Sequence, residues 1–293
     1  LLARCSSAVI CISEAVKDFN FKGISPKLQR RAVVLYDWCD GPPACDANAA
    51  ACDRGVLFRR FGLPDHARLI LMPSRIEPWK GQHVLVEAAS HVVAQFDDAY
   101  FLLVGALVRG RGREAYFEQL RRRAEELGIE RHIVLGGYVR DVASLMRHAE
   151  AVVHCSTSPE PFGLTLLEGF WCDVPVVAAA AGGPLETVGD SQCALLHEPG
   201  NAEDLAEQLL KILSDPAVSQ ELVERARERL GFFQSARRWP QFERLFRLLV
   251  AGSGKECLVP DGAVTAPAAD ATEGIGAATS SASGIREYEG NGR

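Results

Sequence analysis

Between residues 65 and 215, short unbroken apolar runs alternate with longer stretches in which apolar residues recur every three or four positions. The runs Arg68–Met72, Tyr100–Val104, His132–Leu135, Ala151–His154, Val174–Ala178 and Cys193–Leu196 read as strands. Each is followed by a helical pattern: Gln82–Val93, Glu114–Leu127, Val139–His148, Gly163–Trp171, a short helix near Glu186, and Ala202–Leu213. The strands are apolar throughout and do not alternate with polar residues, so both of their faces are expected to be covered. That predicts a parallel sheet with helices on each side. Six such βα units make one doubly wound, Rossmann-like α/β domain, with function in the loops at the C-terminal ends of the strands. Helices near Val218–Leu230 and Arg237–Leu249 close it. Upstream, Ala8–Ile12 and Arg31–Tyr36 read as two further strands. Ser13 caps a helix between them that carries Val16 and Phe19 on one face. Cys39–Asp53 reads as a loop.

Composition narrows the class. Apolar residues at 47% and charged residues at 24% are ordinary globular values and exclude wholesale disorder or a coiled coil. A net charge of −6 offers no general basic field for nucleic acid. Val174–Leu185, the longest apolar stretch, is broken by Pro175, Gly182, Gly183 and Pro184, so no spanning helix is expected and membrane association is at most peripheral. The nine cysteines contain no C-x-x-C pair, and their spacing does not match zinc ligation. With no N-x-[ST] sequon and no signal-peptide architecture, they read as free thiols in a reducing, cytoplasmic setting. The first residue is Leu, which reads as a fragment. Ala, Gly, Ser and Thr supply 24 of the residues of segment 251–293, too polar and small a set to offset ordering entropy, so a disordered tail is expected there.

Three loops carry candidate chemistry. After the first strand of the series, Ser74-Arg75-Ile-Glu-Pro-Trp-Lys80-Gly81 places two cations just before a helix. They suit a phosphate group, or equally form a solvated surface pair. After Ala151–His154, Ser156-Thr-Ser-Pro-Glu160-Pro-Phe-Gly163-Leu-Thr-Leu-Leu-Glu168 frames Glu160 between two prolines. It then opens a helix whose first N–H groups, at Gly163, Leu164 and Thr165, suit an anion. Glu168 lies on that helix, placed either to accept from paired sugar hydroxyls or as a plain surface residue. The third loop, Ala180-Ala-Gly182-Gly183-Pro-Leu-Glu186, reads chiefly as a structural turn.

Taken together, these loops resemble the donor half of retaining two-Rossmann (GT-B) glycosyltransferases of family 4, the group 1 glycosyl transferases. The resemblance runs through Ser74-Arg75, Lys80-Gly81, Leu103-Val-Gly105, Leu135-Gly-Gly-Tyr138, His154 to Gly169, Asp173-Val-Pro-Val-Val177 and Gly182-Gly-Pro-Leu-Glu186. It implies a nucleoside-diphosphate sugar as donor substrate, with no metal and no other cofactor, and an unknown acceptor. It implies that Arg75 and Lys80 hold the diphosphate and that Gly163, Leu164 and Thr165 donate backbone N–H bonds to the same phosphates or to the sugar. Glu168 takes the ribose hydroxyls, Glu160 is the catalytic residue by the donor sugar, and backbone near Tyr138 and Val139 meets the base. Gly105 counts among the donor-binding positions. It divides the chain into a remnant of the N-terminal acceptor domain and hinge (1–53), the nucleotide-sugar domain (54–250) and the tail (251–293), most of the acceptor domain being missing. Ser74 stands where the family usually has Gly, and Glu168-Gly-Phe-Trp where it often has Glu-Ala-Met-Ala.

Other readings fit less well. Gly110-Arg-Gly112-Arg-Glu-Ala115 matches a dinucleotide fingerprint but lies six residues past its strand. A non-catalytic nucleotide-sugar-binding module is the alternative that the missing domain leaves open. Arg121-Arg122-Arg123 reads as a solvated face paired locally with Glu125 and Glu126. Helix Arg237–Leu249 either meets a membrane interface or packs its apolar face on the domain.

Overall fold

The computed structural model describes residues 6–41, 53–106 and 113–251. The tail beyond residue 251 and the glycines of the Gly110–Gly112 motif lie outside the described residues. A two-stranded parallel sheet comes first, β1 (Val9–Cys11) and β2 (Ala32–Val34), joined through α1 (Glu14–Phe21) and α2 (Pro26–Gln29). Then come α3 (Arg54–Arg60), β3 (Arg68–Pro73), α4 (Gln82–Val93), β4 (Ala99–Val104) and α5 (Arg113–Glu126). They are followed by β5 (Ile133–Gly137), α6 (Val142–Met146), β6 (Ala151–His154), α7 (Leu164–Trp171) and β7 (Val176–Ala179). The series ends with α8 (Gly183–Val188), β8 (Leu195–His197), α9 (Ala202–Ser214), α10 (Pro216–Leu230) and α11 (Ser235–Val250).

Strands β3 to β8 form one parallel sheet in the order β5-β4-β3-β6-β7-β8. Successive residues of each strand point to opposite faces, and both faces are buried. Leu69 and Leu71 of β3 join Leu102, Val104 and Val152 in one core, covered by α3, α6, α7 and α10. Ile70 and Met72 join Phe101, Leu103 and Val153 in the other, covered by α4, α5 and α9. This is why the strands read as unbroken apolar runs. Two of the helices start where a short polar side chain bonds an early amide: Asp141 accepts from Ser144 N at 3.1 Å at α6, and Asn201 from Asp204 N at 3.0 Å at α9.

Strand order fixes the place of the site. From β3 the chain first moves outward to β4 and β5, then returns to β6 on the other side of β3. The crevice between the C-terminal ends of β3 and β6 is therefore the topological switch point, where ligands bind in open α/β sheets.

Some expectations are corrected. Helix α3 has no counterpart in the sequence reading, and most of the loop expected over Cys39–Asp53 lies outside the described residues; Asp53 caps the helix at Val56 N, 3.0 Å. The strand expected at Val174–Ala178 is Val176–Ala179, and the helix expected over Val139–His148 spans only Val142–Met146. Gly163 is the left-handed N-cap of α7, not its first turn. Phe19 does not share a buried face with Val16. It is 84% exposed, and Phe21 is buried against Cys11 beside Val16. The β1–β2 surface is filled by those two side chains together with Ile24 and Leu28. Arg123 pairs with Glu126 but also reaches Glu87 on α4, at 2.5 Å. Helix α11 packs Leu245 against Val33 and Leu35 and inserts Arg238 over the Phe232 ring, 3.5 Å from its centroid. Trp239, Phe246 and Val250 remain on its exposed side. No helix among the described residues is long and apolar enough to cross a membrane.

Candidate active site

The loop after β3 turns through the short helix Pro78–Lys80 into α4, and the loop after β6 lies directly against it. Thr157 N donates to Trp79 O at 2.8 Å across the switch point. The contact is close enough to demand glycine. At Gly81, with φ +80°, an added Cβ would lie 1.9 Å from the Cys155 carbonyl oxygen. Gly105, at the end of β4, meets the same constraint against Ser74 O, also at 1.9 Å. Both chain neighbours of the crevice therefore approach as bare backbone.

A cavity of about 170 Å³ occupies this crevice. Arg75 and Lys80 line it from one loop, His154 and Ser156 from the other, and Thr165 from the first turn of α7. Two cations and a helix N-terminus thus share one space, as the sequence reading required. The Leu164 and Thr165 amides belong to the first turn of α7 and have no intrahelical acceptor, so they suit an anion. Arg75 is 56% exposed, with Nη1 3.6 Å from Glu77 Oε1. Glu77 is buried and also accepts from Trp79 Nε1 at 2.7 Å. Gln82, buried, donates to Ser74 Oγ and Arg75 O, which ties the loop to the start of α4.

Glu160 is held beside the cavity. Its backbone bridges Gly182, with Gly183 N donating to Glu160 O at 2.7 Å. Its carboxylate pairs with Lys80 Nζ at 2.5 Å and accepts from Ser156 Oγ at 2.9 Å, and His154 Nε2 lies 3.2 Å away. Burial pushes its carboxyl up, but the hydrogen bonds from His154 and Lys80 and the charge of Lys80 outweigh it and hold the group at about 2. Glu168 lies further along α7, and burial alone raises its carboxyl. Tyr138 is largely exposed, and the Val139 side chain is in the core, which leaves backbone as what that turn offers a ligand. Among the described residues no group of three or more His, Cys, Asp or Glu is placed to hold a metal ion.

Four participants escaped the sequence reading: Glu77, His154, Ser156 and the side chain of Glu186. The Gly182–Gly183 turn is structural as expected, but Glu186 does more than end it. Its carboxylate accepts from Glu14 N and Ala15 N, both at 2.8 Å, and from Tyr36 Oη at 2.9 Å. It thereby caps α1 from a distant element. For His154 and Ser156 a signal was present: spaced two apart at a strand end, they point the same way.

Residues 53–229 match the family described as Glycosyl transferases group 1. The chain belongs to that family. Its curated relatives include a trehalose synthase from Pyrococcus horikoshii, 28% identical over 213 residues, or 71% of this chain and 50% of that protein. A D-inositol 3-phosphate glycosyltransferase from Nocardioides is 31% identical over 62% of this chain and 42% of that protein. The chain spans about half the length of the curated relatives it matches. Among solved structures, Anabaena HepE in complex with UDP-glucose superposes with a TM-score of 0.72 at 26% identity, covering 83% of this chain and 64% of that one. A glycosyltransferase from Rickettsia africae gives 0.72 at 25%, over 83% and 63%. The fold of this group 1 member is the parallel, Rossmann-like unit of GT-B glycosyltransferases.

Proposed function

We propose that this chain is the donor-binding half of a family 4 glycosyltransferase, which moves a sugar from a nucleoside diphosphate to an acceptor with retention at the anomeric carbon. The observation that carries the reading is the shared cavity: Arg75, Lys80 and the start of α7 converge at the switch point, with Glu160 paired to Lys80 beside them. Arg75, Lys80 and the amides of Gly163, Leu164 and Thr165 hold the diphosphate. Glu168 takes the ribose hydroxyls, Gly105 lets backbone close on the donor, and the Tyr138–Val139 backbone meets the base. In the reaction the bond from the sugar's anomeric carbon to the phosphate oxygen breaks, and its electron pair leaves with the diphosphate. The acceptor hydroxyl supplies the new bond, and its proton passes to the departing diphosphate. Side-chain cations and helix amides stabilise the charge that grows on the leaving group, so the reading assigns no metal and no further cofactor. UDP-glucose, bound by the Anabaena neighbour, is the first donor to try. The acceptor side belongs to the part of the relatives' length that this chain does not match. Free Cys11, Cys39, Cys155 and Cys193 accord with a reducing, cytoplasmic setting.

A panel of nucleotide sugars scored by thermal stabilisation tests the reading, since a ligand at 100 times its Kd adds about 2.7 kcal/mol. Arg75→Ala and Lys80→Ala should each weaken binding by on the order of 1–3 kcal/mol. Glu160→Ala should abolish transfer while largely keeping donor affinity. Normal binding and turnover in all three variants defeats the assignment.

A further inference from the structure

Among the described residues, every hydrogen bond and ion pair that reaches the Glu160 carboxylate falls on one oxygen. Lys80 Nζ at 2.5 Å, Ser156 Oγ at 2.9 Å and His154 Nε2 at 3.2 Å all meet Oε2. Ser156 Oγ and His154 Nε2 are themselves 3.2 Å apart. Both side chains are buried, His154 at 6% and Ser156 at 1% exposure.

The protons of this cluster can be assigned. A hydroxyl has one hydrogen, and Ser156 gives it to Glu160 Oε2. Both groups facing His154 Nε2 then act as acceptors, so Nε2 carries the imidazole proton. Nδ1 is buried with no partner. A proton there would be a buried donor without an acceptor, at a cost of about 1–3 kcal/mol, so Nδ1 is the bare nitrogen.

The backbone explains why the grip is firm. His154 ends β6 and Ser156 follows two residues later on the same side. Glu160 is returned to them by its bridge to Gly182 and the bond from Gly183 N. A carboxylate has two equivalent oxygens, and three donors on one of them break that equivalence. Rotating the carboxylate away from this position would surrender all three bonds at once, and only a half-turn, which exchanges the two oxygens, restores them.

We propose that His154 and Ser156 are positioning residues which, with Lys80, hold Glu160 by Oε2 alone and present Oε1 to the donor sugar. The sugar's place in this statement rests on the proposed function; the grip itself does not. Its chemical consequence is that Glu160 serves as an anion beside the reaction centre and is not a proton donor at neutral pH. The titratable groups acting on it are Lys80 and His154; the hydrogen bonds of both and the charge of Lys80 outweigh its burial. An ordinary glutamate is half protonated near pH 4.3 (roughly), so a gripped one is distinguishable there.

The full chain labelled with [δ-13C]glutamate provides the test, the Glu160 signal being identified by its loss in Glu160→Gln. Near that pH the wild-type signal should stay at the carboxylate position. In Ser156→Ala and in His154→Phe it should move toward the acid position, and His154→Gln, which keeps a side-chain N–H, should restore it. Ser156→Ala removes a single oxygen and keeps the test open should His154→Phe not fold. A wild-type signal that titrates with the ordinary glutamates overturns the proposal, as does one that Ser156→Ala leaves unmoved. With a nucleotide sugar that stabilises the chain, Ser156→Ala should keep donor affinity within about twofold while turnover falls at least tenfold. Unchanged turnover overturns the positioning role. Failure of every nucleotide sugar to bind wild-type protein overturns the donor reading instead, and the carboxylate signal still decides the grip.

Discussion

The two parallel sheets of this chain are made from similar residues and held by different forces. In β3 the four consecutive residues Leu69 to Met72 are at most 1% exposed, and their side chains enter cores on both faces. Burying each such side chain contributes about 1.5–3 kcal/mol. In the β1–β2 pair only Cys11 and Val33 are fully buried, and a lone two-stranded sheet is marginal in water. What holds it comes largely from outside, and much of it is polar. Glu186 caps α1, Ser13 Oγ donates to Pro161 O at 2.6 Å, and α11 lays Leu245 on β2. Hydrophobic burial is non-directional and tolerates small shifts, whereas these bonds set an orientation. The small sheet is thus registered against the residue next to Glu160, and the large sheet supplies the stability against which that registration works.

Substitutions separate the two. The largest effect is expected for Leu71→Ala, which opens a cavity in the large sheet and should cost about 2–5 kcal/mol by denaturant titration. Amides of both sheets should lose hydrogen-exchange protection together. Glu186→Ala comes next, at about 1–3 kcal/mol, because the first amides of α1 lose their acceptors. Here the loss should be local: exchange should quicken at residues 14–16 while β3 and β6 stay protected. Equal loss in both sheets would mean that the small one is core-held after all. Phe19→Ser should be nearly silent, within about 0.5 kcal/mol in a thermal melt, since that ring faces solvent. A large effect would show that α1 buries the face the sequence suggested.

Much of this was legible beforehand. Strands covered on both faces announce themselves as apolar runs, and the two-residue register of His154 and Ser156 is visible in any strand. The loops bearing Arg75, Lys80 and Glu160, and the helix bearing Glu168, follow from the strand–helix alternation alone. Phe19 was misjudged because helical spacing says which residues share a face but not how wide the partner surface is. Glu186 was read as a turn residue because its partners, Glu14, Ala15 and Tyr36, lie at least 150 positions away. Helix α3 is short, and its cap at Asp53 closes a polar loop that masks the signal.

By itself the chain's order of residues determined the elements, their parallel arrangement and the polar groups placed at the strand ends, because these depend on neighbours a few positions apart. Only the folded molecule decided that the chain doubles back beside β3, and so that Lys80 and Glu160, eighty residues apart, form one ion pair. It alone decided that a single carboxylate oxygen takes every bond. Such choices depend on the packing of distant segments against each other, where a few tenths of an ångström separate contact from clash, and no local pattern carries that distance.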